Sequence, residues 1–292
     1  MDWAEIHDWP NGHLSKRVTG PVHRWHVQQD GRGMTLLMLH GAGGSTHSFR
    51  HLFTELAKRF HVIALDLPGH GFTQLGARHR SGLDQIAEDI TTLCRQEGWV
   101  PEVIVGHSAG GPVALRLAEP DLRIGADAPL VIGLNAAMST FKGVAGLLFP
   151  AMAKALSAVP FTASLFSGAS ANPERIKALI ASTGSDLDAE GLDLYRRLVA
   201  DRNHVDGTLK MMAQWRLNLL LDRLPDYNGT VHFVVGQNDQ TVRPLVSETA
   251  AQIIKGAHLH PIPKLGHLMH EEQPAQVAEI IHTIVDNTKK KA

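Results

Sequence analysis

One short turn, Gly106 to Gly110, constrains the fold of this chain more than any other stretch. It has the pattern G-x-S-x-G, follows the apolar run 102–105 and precedes a helix-forming run at 112–117. A strand, a sharp turn and a helix in this order place Ser108 on a strained turn with its hydroxyl exposed, and only small neighbours such as the flanking glycines fit there. The backbone N–H of Ala109, at the start of the helix, would point at a negative charge forming beside Ser108. The turn therefore predicts a nucleophilic serine together with half of an oxyanion hole.

Short apolar runs alternate with helical patterns along most of the chain. The near-continuous apolar run 35–39 is typical of a strand that is covered on both faces in a parallel sheet. A capping-box-like pattern from Ser81 to Asp84 predicts the start of a helix, and a closing helix is predicted from Pro274. Predicted strands cover 22–28, 35–39, 62–65, 102–105, 130–134, 231–235 and 259–262. Since strands that alternate with helices form parallel units, we predict an α/β fold with an eight-stranded, mostly parallel sheet flanked by helices.

The interval 138–228 interrupts this alternation, because it contains several helical patterns and no convincing strand. An insertion of this kind between two sheet strands is expected to form a helical cap. We therefore predict a single domain of residues 1–292, in which a core at 20–137 and 229–288 carries the cap at 138–228.

Composition excludes several classes of function. The formal net charge of −1 gives no basic patch to neutralise phosphates, so no nucleic-acid partner is expected. Cys94 is the single cysteine and falls on an apolar helix face, which predicts a buried thiol and no disulfide or thiolate metal site. The N-terminal residues 1–10 carry no apolar signal segment, so a cytoplasmic location is expected.

A serine needs a base, and the base needs an acid to orient it. Asp239 follows the predicted strand 231–235, at the carboxyl end where open α/β sheets place their sites. His267 lies in the loop after the last predicted strand, just before the closing helix, and His270 is its rival as the base. The order Ser108, Asp239, His267 predicts a catalytic triad.

The glycine-rich loop 40–44 follows a predicted strand. Backbone of this kind can approach a substrate carbonyl, and we predict that the N–H of Ala42 completes the oxyanion hole with Ala109. The loop lacks the spacing of a dinucleotide fingerprint or a P-loop, so nucleotide binding is disfavoured. No metal and no other cofactor is predicted.

The first part of the predicted cap, 141–166, is poor in charge. Prolines and lysines interrupt it too often for a membrane span, so it is expected to roof an apolar pocket or to touch a membrane peripherally. The predicted substrate contacts are His107, Leu148, Phe149 and Trp215.

Five features together resemble the α/β-hydrolase superfamily and span nearly the whole predicted core: the loop 40–44, the stretch Asp66 to Gly71, the turn 106–110, Asp239 and the pair Gly266-His267. At a finer level the chain resembles the magnesium chelatase accessory proteins of bacteriochlorophyll synthesis, in the stretches Trp9-Pro10-Asn11, Arg24-Trp25-His26-Val27-Gln28, Gly133-Leu134-Asn135-Ala136-Ala137 and Thr183-Gly184-Ser185. The resemblance implies a photosynthetic bacterial context, a role near porphyrin metallation and magnesium chelatase as a candidate partner. It implies no particular reaction.

Two functions follow from the sequence. The first is a serine hydrolase, esterase-like, that acts on a bulky apolar ester or a related acyl substrate; perhydrolase and carbon–carbon hydrolase chemistry would use the same triad. The second is a non-catalytic accessory protein that binds a tetrapyrrole or the chelatase and retains the triad as a relic.

Overall fold

Eight strands form the sheet at the centre of the structure, a computed structural model that describes residues 1–139 and 172–290. The strands are β1 (Ser15–Thr19), β2 (Arg24–Asp30), β3 (Thr35–Leu39), β4 (His61–Leu65), β5 (Val103–His107), β6 (Leu130–Leu134), β7 (Val231–Gly236) and β8 (Ala257–Ile262). Their order across the sheet is β1-β2-β4-β3-β5-β6-β7-β8. β1 and β2 run antiparallel to their neighbours, and every pairing from β4 to β8 is parallel. The predicted α/β architecture is therefore confirmed.

Helices follow the strands and cover both faces of the sheet. They are α1 (Arg50–Ala57), α2 (Leu83–Glu97), α3 (Gly110–Ala118), α4 (Pro173–Ser182), α5 (Ala189–Ala200), α6 (Arg202–Gln214), α7 (Asn218–Arg223), α8 (Pro244–Ile253), α9 (Met269–Glu272) and α10 (Pro274–Lys289). Short 3-10 helices occur at Trp3–Asp8, Gly12–Leu14, Thr46–Phe49 and Leu224–Asp226. The described helices include none that is long and apolar enough to cross a bilayer.

The two faces of the sheet bury two separate hydrophobic clusters. Along β3, Leu37 and Leu39 join the cluster beneath α2, α3 and α8, whereas Leu36 and Met38 join the cluster beneath α1 and α10. Successive side chains of a strand point to opposite faces, so a strand covered on both faces needs an apolar residue at every position. This is why β3 reads as a continuous apolar run.

The seven strands predicted from the sequence are all present, with ends shifted by no more than two residues. The eighth, β1, had no run of its own among the predicted strands. It is an edge strand in which Val18 is the buried residue, so its polar sequence lacks the apolar pattern of the central strands.

The helix predicted to begin within 81–84 is present as α2, but its start is not a capping box. The helix begins at Leu83 after Gly82, and Ser81 Oγ is buried without a hydrogen-bond partner in the described residues. The Ser81 N–H, which Asp84 would accept in a capping box, donates to Gln214 Oε1 at 3.4 Å, and the Asp84 carboxylate accepts from Arg116 Nε on α3 at 2.8 Å.

The regular elements that the structure describes between β6 and β7 are all helices: α4 to α7 and the 3-10 helix Leu224–Asp226. Leu148 and Phe149 lie outside the described residues. Assignment of the whole interval 138–228 as a cap stays a prediction.

Candidate active site

The turn after β5 holds Ser108 in a left-handed backbone conformation, with φ at +50°. A Cβ added to Gly106 would lie 2.2 Å from the carbonyl oxygen of Gly110, so only glycine fits at this close approach. The Ser108 N–H donates to the carbonyl of Leu134 at 3.0 Å, and the Ser108 carbonyl accepts from the N–H of Ala137 at 3.0 Å. The strained turn is thereby fixed to the end of β6, and the Ser108 side chain stays partly exposed.

Asp239 and His267 meet across the carboxyl ends of β7 and β8. His267 Nδ1 lies 2.7 Å from Asp239 Oδ2, and the other carboxylate oxygen accepts hydrogen bonds from the backbone N–H groups of Thr241 and Val242 at 2.7 and 2.8 Å. The carboxylate can only accept these bonds, so Nδ1 of His267 carries a proton. This tautomer leaves Nε2 of the neutral ring as a proton acceptor.

Two side chains at the ends of β5 and β6 hold the His267 loop beside the serine turn. His107 Nε2 donates to the His267 carbonyl at 3.0 Å, with the two rings 4.7 Å apart. Asn135 Nδ2 donates to the carbonyls of His267 and Gly266, at 3.0 and 2.9 Å, and its oxygen accepts from the N–H of Gly236 at 2.8 Å. These three hydrogen bonds of the fully buried Asn135 connect the His267 loop to β7, the strand that leads to Asp239. Asn135 had no predicted role, because no local pattern in the sequence marks it.

The segment between α4 and α5 supports the same loop. The His267 N–H donates to the carbonyl of Thr183 at 3.3 Å, and the Leu268 N–H donates to Ser185 Oγ at 2.8 Å. Between them, Gly184 has φ at +83°, a conformation that favours glycine. A Cβ added to Gly266 would lie 2.2 Å from the Gly184 carbonyl oxygen, so the two backbones touch without an intervening side chain. Thr183 and Ser185 likewise had no predicted role, although both lie in a stretch that resembles the accessory proteins.

Ser108 Oγ and His267 Nε2 are not joined by a hydrogen bond within the ranges that the structure describes. Such contacts are often long without substrate and tighten when it binds. His107, the neighbour of Ser108, contacts the His267 ring, so the serine and the histidine lie on facing loops.

The glycine-rich loop after β3 lies against the same turn. A Cβ on Gly41 would be 2.9 Å from the Ser108 Cβ, which places the loop beside the hydroxyl. The Gly41 carbonyl accepts from His40 Nδ1 at 2.7 Å and from the Gly44 N–H at 3.1 Å. The Gly41 carbonyl and the Ala42 N–H belong to the same peptide, and in a trans peptide these two groups point in opposite directions. The bonds to the carbonyl therefore also set the direction of the Ala42 N–H. The N–H groups of Ala42 and Ala109 have no hydrogen-bond partner in the described part of the chain.

A buried carboxylate organises the neighbouring loop after β4. Asp66 accepts hydrogen bonds from the N–H groups of Thr46 and Phe72, at 2.7 and 2.8 Å, and from His26 Nδ1 at 2.7 Å. Burial alone would raise the pKa of Asp66, but His26 and the hydrogen bonds lower it below its usual range. Gly71 has φ at +49°, and a Cβ there would overlap the Asp66 carboxylate. The Leu67 N–H donates to His40 Nε2 at 2.9 Å, which joins the loop 66–71 to the glycine-rich loop.

His270 differs from His267 in its surroundings. Both of its ring nitrogens are buried without a partner in the described residues, and burial lowers its pKa to about 3. Its ring packs 4.3 Å from that of His107 and 5.3 Å from that of Phe49. Since Asp239 bonds to His267, the geometry favours His267 over His270 as a base.

The remaining predicted residues have other surroundings. Trp215 is partly buried and packs against the cluster beneath α2 and α3, so its predicted contact with substrate stays a prediction, like that of His107. Cys94 is buried, as predicted, and burial raises the pKa of its thiol to about 12. In residues 1–139 and 172–290, no group of three or more potential ligand side chains is arranged to hold a metal ion.

Buried histidines make the stability of this region sensitive to acid. Burial lowers the pKa of six of them, to about 3 for His70 and His270; the six are His40, His47, His70, His107, His204 and His270. These side chains bind protons at higher pH when unfolded, so the free energy of unfolding should be highest above about pH 6.5 and fall as the pH decreases towards 3. Glu271 opposes part of this loss between pH 7 and 4.5, because burial raises its pKa to about 7.

Urea unfolding between about pH 8 and 4 measures this decline. His70→Asn should make it shallower, because an asparagine amide can donate to the Pro68 carbonyl as His70 Nδ1 does at 3.2 Å but does not titrate. His79→Asn, at an exposed position, is the control and should leave the slope unchanged. A free energy of unfolding that stays constant or increases on acidification would contradict the prediction.

The chain is similar to a known protein family over most of its length. The model of the alpha/beta hydrolase family matches residues 36–280. A Rhodobacter capsulatus protein named magnesium-chelatase 30 kDa subunit is 42% identical over 266 residues, which cover 90% of this chain and 92% of that protein. The mouse sn-1-specific diacylglycerol lipase ABHD11 is 24% identical over 262 residues, covering 84% of this chain and 79% of the lipase.

Solved structures show the same fold. An esterase from Exiguobacterium antarcticum superposes with a TM-score of 0.75 at 19% identity, over 94% of this chain and 100% of the esterase. The extent of the family match and the strand order of the sheet lead to one conclusion. The chain belongs to the alpha/beta hydrolase family.

Proposed function

We propose that the protein is a serine hydrolase in which Ser108, His267 and Asp239 form the catalytic triad. The observation that carries the proposal is the 2.7 Å bond from His267 to Asp239, on a loop that His107 and Asn135 tie to the turn of Ser108. A strained serine with an orphan N–H at its side and an oriented imidazole opposite it is the arrangement that acyl transfer requires.

The reaction proceeds in two halves. Ser108 Oγ attacks the acyl carbon and gives its proton to His267 Nε2, which passes it to the leaving alcohol. The tetrahedral oxyanion accepts hydrogen bonds from the N–H groups of Ala109 and Ala42, whose lack of partners in the described residues leaves them available. Water then attacks the acyl carbon and gives a proton to His267 Nε2, which passes it to Ser108 Oγ as the bond from Oγ to the acyl carbon breaks and the acid leaves. Asp239 stabilises the imidazolium that forms in each half and is itself held by two backbone N–H groups.

The substrate proposed for this site is a bulky, apolar ester. In the proposed cap, 138–228, the stretch 141–166 is poor in charged residues. Pockets for apolar ligands are lined mainly by apolar side chains with few polar groups. His107, Leu148, Phe149 and Trp215 are the proposed contacts, and a porphyrin ester or a lipid fits the class. The same surface is a candidate for peripheral contact with a membrane.

Nitrophenyl esters from acetyl to dodecanoyl test the substrate class. The wild type should prefer the longer chains, because each buried CH₂ group contributes about 0.8 kcal/mol. Changing Leu148 and Phe149 to Ser should reduce kcat/KM for the dodecanoyl ester by roughly tenfold or more and affect the acetyl ester far less. Leu179→Ser with Leu219→Ser is the matched control, since these side chains are 53% and 58% exposed. A preference for acetyl, or an unchanged profile in the variant, would eliminate the apolar pocket.

The second candidate is a non-catalytic accessory protein that binds a tetrapyrrole or magnesium chelatase. The observation in its favour is the 42% identical relative that is named as a subunit of magnesium chelatase. Binding of this kind requires no nucleophile, so the accessory function predicts that Ser108→Ala retains it. The presence together of serine, oriented histidine and orphan N–H groups favours the hydrolase.

A further inference from the structure

Helix α6 contacts the two loops beside the proposed oxyanion site, the glycine-rich loop 40–44 and the loop 66–71. His204, on this helix, is 2% exposed and lies between the two loops. His204 Nδ1 accepts the N–H of Gly71 at 3.0 Å, and Nε2 lies 3.2 Å from the carbonyl oxygen of Gly43. An amide N–H can only donate, so Nδ1 is unprotonated and Nε2 donates its proton to Gly43. Burial lowers the pKa of His204 well below its usual value, which keeps the ring in this neutral form.

The carbonyl of Gly43 belongs to a chain of hydrogen bonds that ends at Ala42. His204 donates to the Gly43 carbonyl, and the N–H of the same peptide, that of Gly44, donates to the Gly41 carbonyl at 3.1 Å. The Gly41 carbonyl in turn shares its peptide with the Ala42 N–H. Each donor–acceptor pair fixes the orientation of the next peptide and polarises it, so the chain aligns and strengthens the Ala42 N–H as a donor.

A backbone contact sets the distance between α6 and these loops. A Cβ added to Gly207, one turn after His204, would lie 2.1 Å from the Gly69 carbonyl oxygen, so the helix touches the loop 66–71 without an intervening side chain. The Thr208 side chain approaches Gly43 from the same helix face. The N–H of His204 is capped by Asp201 at 2.8 Å, which fixes the first turn. The imidazole is therefore held at a fixed reach from the turn 41–44.

We propose that His204 is a positioning residue for the oxyanion hole. From α6, in the insertion between β6 and β7, it orients the Ala42 N–H through the peptides of Gly43 and Gly41. The inference rests on the proposed hydrolase function. If it holds, the rate of acyl transfer depends on the position of α6 relative to the loop 40–44. His204 acts through backbone groups and makes no contact with the reacting atoms.

Two amide substitutions at His204 each keep one of its two hydrogen bonds and remove the other. Glutamine places an amide donor where Nε2 lies and keeps the bond to Gly43, so His204→Gln should retain kcat within about threefold. Asparagine replaces Nδ1 with an acceptor for Gly71 but cannot reach Gly43. Outright loss of an oxyanion donor costs about 10²–10³ in kcat, so His204→Asn should lose roughly 10- to 100-fold with KM nearly unchanged. Asn203→Ala, at the exposed neighbouring position, is the control.

The affinity for a trifluoromethyl ketone, which forms a tetrahedral oxyanion on Ser108, distinguishes positioning from folding. Rates are expressed per active site, counted by complete labelling with a fluorophosphonate. In His204→Asn the inhibition constant of the ketone should rise by the factor by which kcat/KM falls. A purely structural role would lower the melting temperature and the number of active sites but leave both constants per site unchanged, and that result would overturn the proposal.

The wild type gives a test that does not depend on a variant's folding. The Nε2–H proton resonance of His204 should shift when the ketone binds. The oxyanion accepts from the Ala42 N–H and so polarises the hydrogen-bonded peptides that lead back to His204. No shift on saturation with the ketone would contradict the proposal. If the wild type neither hydrolyses esters nor forms the ketone adduct, the hydrolase proposal itself fails; an active wild type with an unaffected His204→Asn variant eliminates only the role of His204.

Discussion

Replacing Ser108 by Ala should reduce the kcat for a long-chain nitrophenyl ester by roughly four to six orders of magnitude, because loss of the nucleophile removes the covalent route. The change removes one oxygen and adds no heavy atom to the turn, so the fold should persist despite the left-handed backbone at this position. Circular dichroism and steady-state kinetics check both statements. Ser182→Ala, on the exposed face of α4, is the control and should keep full activity.

The same variant separates the two candidate functions in cells. Where deletion of the gene from a bacteriochlorophyll-producing strain abolishes pigment synthesis, the hydrolase proposal predicts that the Ser108→Ala protein does not restore it and that the Ser182→Ala protein does. Full restoration by Ser108→Ala at wild-type protein levels would make catalysis dispensable and favour the accessory function.

Asp239→Asn should lower kcat by about 10⁴-fold, and the hydrogen bonds of Asp239 give the reason. The N–H groups of Thr241 and Val242 both donate to one carboxylate oxygen, so the asparagine oxygen must take that position. Its amide nitrogen then faces His267 Nδ1 as a donor. The ring must accept there and carry its proton on Nε2, where it can no longer take the proton of Ser108.

Kinetics at neutral pH measure this loss, with Asp222→Asn, at an exposed position, as the control. The thermal stability of Asp239→Asn should remain close to that of the wild type, because both backbone bonds are kept. A decrease in kcat of less than tenfold would contradict the assignment of Asp239.

Residues with strong local patterns could be predicted from the sequence. Ser108 stands in a pattern that is complete within five residues, and Asp239 directly follows an apolar strand. The alternation of strands and helices then places both at one edge of the sheet. His267 could be chosen by its position before the closing helix, and its 2.7 Å bond to Asp239 agrees with that choice.

Residues that support the site from a distance in the chain could not be assigned in this way. Asn135 bonds to His267 across 132 positions, and His204 bonds to Gly43 across 161. Nothing next to either residue in the sequence encodes these partners. The sequence has 18 histidines, and whether one packs like His270 or orients a loop depends on which elements the fold brings around it.

The most direct test of the account is the reaction of the wild-type protein with a fluorophosphonate, followed by peptide mass spectrometry. An oriented triad activates its serine above all other hydroxyls, so we predict one adduct per chain, located on Ser108. Asp239→Asn should form this adduct far more slowly, and Ser108→Ala should not form it. A folded wild-type protein without an adduct on Ser108, or with labelling spread over several surface serines, would contradict the claim that this chain is a serine hydrolase.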